Sequence, residues 1–394
     1  MRYKLRFSLF FLAMMLFNLA ANFAHPMTPT LIQNLQLPDY MFGLMLATTQ
    51  LFNFLFSPFW GKINVTLSSR RTLLICGIGY GAAQLLFGMA RTQTMILAAR
   101  ALAGVFVGGS FVSFLTYVIN AARPEDQAKF LTYSATIQAV CGAFGYLVGG
   151  LLAESSIWGT FVLQGVCLMA SGILFRFACV ADNTGKLPVK EILRQSNPMK
   201  AFSDGRYFLN MAFVLLFAVN ILMNFGNTGF DQAFNYYLKD QLGLTSSYNG
   251  ILKAAVGLIS FAANMTLCLW IIRKANVGRS VTVTALFCTL AALGTLLIPE
   301  IRMFLCFSVL VYAGYSVSLP LVQHMVAQQA DPLQKNLVMG FYNATKSLGC
   351  IIGSLTAGFL YGVHVKLPFG VAAVSYGLSL LAAGAYLLRA GSKN

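Results

Sequence analysis

Charge is what this sequence has least of. Asp, Glu, Lys and Arg make up 10% of its 394 residues, against about 25% in soluble domains, which excludes an ordinary water-soluble globular fold. Acidic side chains are the scarcer sign, 11 against 27 Lys and Arg. Several chemical signatures are missing as well. The chain has no GxxxxGK[ST] stretch to cradle a nucleotide phosphate, no HExxH pair, no serine/histidine constellation and no CxxC spacing. Nucleotide hydrolysis is therefore not the expected energy source, and neither an enzyme nor a zinc module is expected. The eight cysteines sit within apolar runs or beside their basic ends, so no disulfide framework or metal site is expected.

What fills the chain is apolar sequence. Hydrophobic residues make up 58%, in recurring runs of about 20, the length of a transmembrane helix; a membrane β-barrel would alternate over ten-residue segments instead. Twelve spans are expected, near 7–27, 41–60, 72–90, 94–119, 130–153, 157–178, 207–236, 248–272, 280–298, 302–327, 337–362 and 368–388. With the loops assigned alternately to two sides, the side holding both termini carries 20 of the 27 Lys and Arg. Arg91, Lys239, Arg302 and Lys366 lie on the other side, and Arg100, Lys253 and Lys346 lie within spans. This is the positive-inside pattern, which places both termini in the cytoplasm. The net charge of +16 is thus topological and needs no nucleic-acid partner. The opening "MRYKLRFSLFFLAMMLFNLAANFA" mimics a secretory signal, with Ala21-Asn22-Phe23-Ala24 as a cleavage site. Its apolar part is long for that role and eleven spans follow, so an uncleaved first helix is expected.

The longest hydrophilic segment, 179–206, holds Pro188 and Pro198 and divides six spans from six. The expected organisation is a bundle at 1–178, a cytoplasmic linker at 179–206 and a second bundle at 207–394. "SATIQAVCGAFGYLVGGLLA" from Ser134 aligns without gaps to "NATKSLGCIIGSLTAGFLYG" from Asn343, at an offset of 209 residues. Ala135/Ala344, Thr136/Thr345, Cys141/Cys350, Gly149/Gly358 and Leu151/Leu360 coincide, and Lys346 falls opposite Ile137. Both are the fifth span of their half and run in the same direction. The expected fold is all-α, with twelve transmembrane helices in two parallel six-helix repeats and a substrate site between them near the membrane midplane.

Short motifs recur on this frame. After the second span stands "GKINVTLSSRR", with Gly61, Arg70 and Arg71 at set positions. The fourth span has "ARALAGVFVGG", with Arg100 and Gly104. The fifth has "CGAFGYLVGG", with Gly145, Gly149 and Gly150. The first has "HPMTPTL", with Pro26 and Pro29, and the seventh "FGNTGFDQAFNYY", with Asp231. Together with the six-plus-six layout, these resemble the major facilitator superfamily, and most closely its drug:proton antiporter branch. Two positions depart from the loop signature: its aspartate, which helps latch the halves together in that family, falls on Val65, and its second glycine on Ser68. In the glycine-rich motif Tyr146 stands in place of a proline. The resemblance implies a secondary transporter working by alternating access in the cytoplasmic membrane. It further implies proton-coupled efflux of amphipathic compounds, with Asp231 exchanging protons and no cofactor beyond an ion gradient. The expected partners are a small-molecule substrate and membrane lipid, and the expected functional unit is a monomer.

The polar residues within spans are the candidate site. Arg100 lies six or seven residues into the fourth span. Asp231 is the only acidic residue well inside one, about 30 Å along its helix from Met211. Lys253 lies at similar depth, so an Asp231–Lys253 pair, structural or gating, competes with a coupling role. Lys346, about 13 Å deep, shares a helical face with Asn343, Ser347 and Cys350. Asn18, Asn22 and His25 lie on one face of the first helix and Gln50 and Asn53 on one face of the second; with Gln138 and Asn224 they suggest a wet central cavity. Arg100, Lys253 and Lys346 outnumber Asp231, which motivates a rival reading, a carrier of organic anions held by Arg100 and Lys346. A non-transporting membrane sensor is a second rival.

Overall fold

The computed structural model describes residues 2–28, 31, 34–37, 41–182, 209–242, 246–298 and 300–391; Pro29 and linker residues 183–206 lie outside the described residues. In lipid every backbone N–H and C=O must be satisfied within the segment, so each apolar run becomes a helix. The described residues form α1 (Arg2–Ala21), α2 (Met41–Leu67), α3 (Ser69–Met89), α4 (Gln93–Ala121), α5 (Pro124–Ser155) and α6 (Ile157–Ala178). The second six are α7 (Met211–Asp240), α8 (Ser246–Ala263, passing through a π-helical turn at Asn264–Cys268 into Leu269–Lys274), α9 (Val277–Leu297), α10 (Ile301–Gln329), α11 (Lys335–Val363) and α12 (Leu367–Gly391). Eleven are long and apolar enough to cross a membrane among the described residues. The twelfth, α2, is wedged between α4 and α11. The chain is an all-helical membrane protein, and both ends of the described chain lie on one face, here the terminal face.

Two local features depart from straight spans. Regular α1 stops at Ala21, not residue 27. Pro26 has no N–H and its ring crowds the carbonyl one turn back, and the backbone tightens to i→i+3 bonds at Asn22, Phe23 and His25. At the other face of the membrane, α2 runs on to Leu67 and only Ser68 separates it from α3. Ser68 sits at φ 68°, the left-handed region that glycine enters at least strain, which explains why the resembled signature has glycine there.

The two sets of six repeat their pairings. In the first, α1 packs on α5 and α6, α3 on α4 and α6, and α2 on α4. In the second, α7 packs on α11 and α12, α9 on α10 and α12, and α8 on α10. The halves meet along α2–α11 and α5–α8, two contacts exchanged by the same pseudo-twofold relation.

Packing corrects the register of the repeat. Gly145 and Gly149 let α5 lie against the carbonyls of Leu19 and Phe23 on α1; Gly349 and Gly353 let α11 lie against those of Ile221 and Phe225 on α7. The equivalent positions are therefore 204 residues apart on these helices. The sequence identities at 209 align residues that face different ways: a Cβ on Gly149 would strike Phe23, whereas one on Gly358 would meet nothing within 4 Å. On α1 and α7 the offset is 202, set by the carbonyl partners Leu19/Ile221 and Phe23/Phe225, and the side-chain-to-backbone bonds of two asparagine pairs follow it. Asn22 Nδ2 donates to Asn18 O at 2.8 Å, and Asn224 Nδ2 to Asn220 O at 2.7 Å. In this frame Lys346 stands opposite Gly142 and not Ile137.

Candidate substrate cavity between the two halves

A cavity of about 390 Å³ opens between the halves, walled by α2, α4, α5 and the tightened end of α1 on one side and by α7, α8 and α10 on the other. Its volume lies in the range of small-molecule sites.

Its second-half wall carries one assembled polar cluster. Asp231 on α7 accepts hydrogen bonds from Lys253 Nζ on α8, from Tyr312 Oη on α10 at 2.7 Å and from Asn235 Nδ2 at 3.4 Å. The Lys253 ammonium also lies 4.9 Å from the centre of the Tyr312 ring. The pair is largely shielded, with Asp231 27% and Lys253 13% exposed. Residue 231 is well along its helix, as the sequence implies, but α7 continues nine residues further, and the carboxylate faces the cavity. The Asp231–Lys253 pairing is present. Tyr312 was not foreseen; its signal in the sequence is a tyrosine pair, Tyr312 and Tyr315, flanking Gly314 in an apolar run.

The first-half wall carries Arg100, 5% exposed, with its guanidinium carbon 4.9 Å from the centre of the Phe87 ring. Gly104, one turn on, brings α4 against the Thr49 carbonyl of α2 and fixes where that guanidinium emerges. Arg100 makes no hydrogen bond or ion pair with any described residue, and its Nε is buried without a partner. His25 lies parallel to Tyr146, ring centres 6.3 Å apart, at the position of the missing motif proline. Asn22 and Gln138 also line the cavity.

The remaining predicted residues lie elsewhere. Asn18 turns back onto Met14 O along its own helix, and Asn224 accepts from Tyr315 Oη at 2.7 Å, reaching the cavity only through that tyrosine. Asn343, Asn53 and Gln50 form a chain: Asn343 Nδ2 donates to Asn53 Oδ1 at 2.8 Å and to Ser57 Oγ at 2.7 Å, and Asn53 Nδ2 donates to Gln50 Oε1 at 3.2 Å. This set bridges α11 and α2 and leaves the cavity wall. Lys346 is not on that wall either; its Nζ lies 5.4 Å from the centre of the Phe111 ring on α4. The expected polar face of α11 is thus a helix–helix contact, because α11 presents it to the first half and its neighbouring side to α7. Among the described residues no His/Cys/Asp/Glu group could hold a metal ion.

The halves close on each other toward the terminal face. A Cβ on Gly61 would lie 2.5 Å from Asn336 O, and one on Gly340 2.8 Å from Ser57 O. Asn120 Nδ2 donates across the same boundary to Asn336 Oδ1 at 3.0 Å, and Thr132 of α5 meets Cys268 of α8. Beneath this seam Arg71 is exposed, while Arg70 Nε donates to Arg176 O at 2.7 Å. Gly150 lies near Pro26, 3.7 Å from a built Cβ. Val65 offers no carboxylate, but another residue does. Asp182, after α6, accepts from Ser69 N at 2.8 Å and from Ser69 Oγ at 2.6 Å, at the positive end of α3. Burial pushes the Asp182 carboxyl above its ordinary value, opposed by the Ser69 hydroxyl and N–H. Nothing in its local sequence marks Asp182 for this place.

Two six-helix bundles of parallel topology around an interfacial cavity with buried charge define a membrane carrier. The chain belongs to the Major Facilitator Superfamily, whose family model matches residues 9–302 and 276–394, and it is a transporter. It is 21% identical over 356 residues to Multidrug resistance protein 1 of Bacillus subtilis, covering 90% of this chain and 89% of that protein. It is 23% identical over 373 residues to Multidrug resistance protein MdtG of Proteus mirabilis, with 90% and 89% covered. The structure is similar to that of the human organic anion transporter MFSD10, with a TM-score of 0.80 at 15% identity over 97% of this chain and 99% of that one.

Proposed function

We propose that this transporter exports amphipathic small molecules across the cytoplasmic membrane in exchange for protons taken up at Asp231. The observation that carries the reading is Asp231 itself, a cavity-lining carboxylate bound at once by Lys253 and Tyr312 from two other helices. Protonation of that carboxylate dissolves the ion pair. It frees Lys253 and weakens the tie between α7 and α8, which packs on α5 of the other half. One protonation event thereby acts on an interhalf contact, as alternating access requires.

The excess of Lys and Arg beside the termini puts the terminal face in the cytoplasm. The seam at Gly61, Asn336 and Gly340 is then the cytoplasmic seal, and the cavity belongs to a state turned away from the cytoplasm. Protons enter in this state; opening the seam presents the cavity to the cell interior. Tyrosines, methionine and amides in the lining suit a ligand with an apolar body and a polar head. The names of the two bacterial relatives support efflux as the direction. One chain supplies both walls of the cavity, so a monomer suffices.

The test is exchange in proteoliposomes. Under an imposed pH gradient the wild type should move protons against a panel of amphipathic fluorescent compounds. Asp231→Asn should still bind them and move no protons. Unchanged pH-driven accumulation by Asp231→Asn would remove the carboxylate from the coupling step.

A further inference from the structure

The two cations on the cavity wall are not equivalent. Lys253 is neutralised by Asp231, and that carboxylate is already occupied by Lys253, Tyr312 and Asn235. Arg100 faces the same cavity from the opposite half, 5% exposed, with no hydrogen bond or ion pair to any described residue and a buried Nε without a partner. An unpaired buried charge is destabilising, and stacking on Phe87 offsets only part of that. With Asp231 ionised, the wall carries one net positive charge. A cationic ligand would raise it to two; a monoanion brings it to zero.

We infer that the compounds carried by this cavity are amphipathic monoanions whose carboxylate or sulfonate seats on Arg100. Guanidinium stays charged at every working pH and presents a planar fork matched to two acceptor oxygens. The apolar body lies toward Tyr146, Tyr312 and Tyr315, the aromatic part of the lining. Lys346 has no part in the seat: it lies over Phe111 and off the wall. The inference rests on the transport of amphipathic compounds proposed above and narrows their class; it does not depend on proton exchange at Asp231.

Three probes with one body separate the cases: 1-naphthaleneacetic acid, its amide, and 1-naphthylmethylamine. Binding to the purified full chain in nanodiscs is measured by titration calorimetry. The acid should bind at least about tenfold tighter than the amide, and the amine should not compete. Arg100→Gln should bring the acid and the amide to equal affinity, with retained binding of the amide showing that the cavity is intact. Should Arg100→Gln fail to fold, Arg100→Lys, which keeps the charge and loses the fork, should shrink the preference severalfold. Lys346→Met should keep it in full. An acid that binds no better than its amide in the wild type overturns the inference, as does a preference that survives in Arg100→Gln or disappears in Lys346→Met. Asp231→Asn should retain the acid preference whether or not it has lost proton exchange, so the two proposals fail separately.

Discussion

Asn343 on α11 holds Asn53 on α2 across the boundary between the halves, Nδ2 to Oδ1 at 2.8 Å. One turn nearer the terminal face, Gly340 brings the two backbones together, with Ser57 O and Pro58 Cα at 2.8 and 2.9 Å from where its Cβ would stand. Neither contact atom is a flexible side chain, so a larger residue is accommodated only by parting the helices. Gly340→Val should open the seam. In a variant without native cysteines and with Ser57→Cys, maleimide labelling should rise several-fold. Asn343→Ala, which in this background removes the remaining hydrogen bond to Asn53, about 1 kcal/mol, should give a smaller rise. Labelling that stays at the parent level in Gly340→Val would show that this contact does not control the seal.

The Asp231–Lys253 pair has a stability signature separate from transport. Asp231→Asn leaves a shielded lysine without its counter-ion. Fully buried pairs lose about 3–5 kcal/mol in this way, and with Asp231 27% exposed a loss on the order of 2 kcal/mol is expected. Lys253→Met added to Asp231→Asn should recover most of it, as a double-mutant cycle in denaturant unfolding would report. Additive losses would mean that the two residues contribute independently.

The packing register makes a paired prediction. Gly149→Ala places a Cβ into Phe23 backbone and should lower the unfolding temperature by several degrees. Gly358→Ala enters open space and should be neutral or gain up to about 1 kcal/mol from helix propensity. Equal effects at the two positions would return the repeat to the register of the sequence identities.

Asp182 gives stability a pH dependence of defined sign. Burial raises its carboxyl in the folded state, so its favourable contribution is full below the ordinary carboxylate value of about 3.9 and is lost as pH rises through the raised one. Asp182→Asn removes this titration. The stability of the wild type relative to Asp182→Asn, followed by thermal unfolding in detergent, should therefore fall as pH rises from the ordinary carboxylate value through the raised one. A wild type that gains on the variant over that interval would mean that the Ser69 hydrogen bonds dominate over burial.

Much of the site was open to a reading of the chain, for physical reasons. A charged side chain in a membrane span is costly enough to need a partner or a cavity, which singled out Arg100, Asp231 and Lys253, and all three reach the cavity. The same logic failed for Lys346, because a cation within a span can also rest on an aromatic ring. It failed for Asn343 and Asn53 because amides serve helix contacts as readily as ligands. Tyr312 and Asp182 escaped because one is an ordinary aromatic in an apolar run and the other lies outside the spans, and only folding brings each to its partner.

Length of apolar runs, placement of Lys and Arg, and the order of spans were sufficient for twelve helices in two parallel sets, since lipid leaves the backbone no alternative and charge decides the topology. Which face of each helix meets lipid, a neighbour or the cavity was decided by tertiary structure alone. Lipid tails and packed helices are equally apolar, so hydropathy does not distinguish them. Backbone approach at Gly145, Gly149, Gly349 and Gly353 does, and with it the register of the repeat, the pairing of Asp231 with Lys253, and the isolation of Arg100.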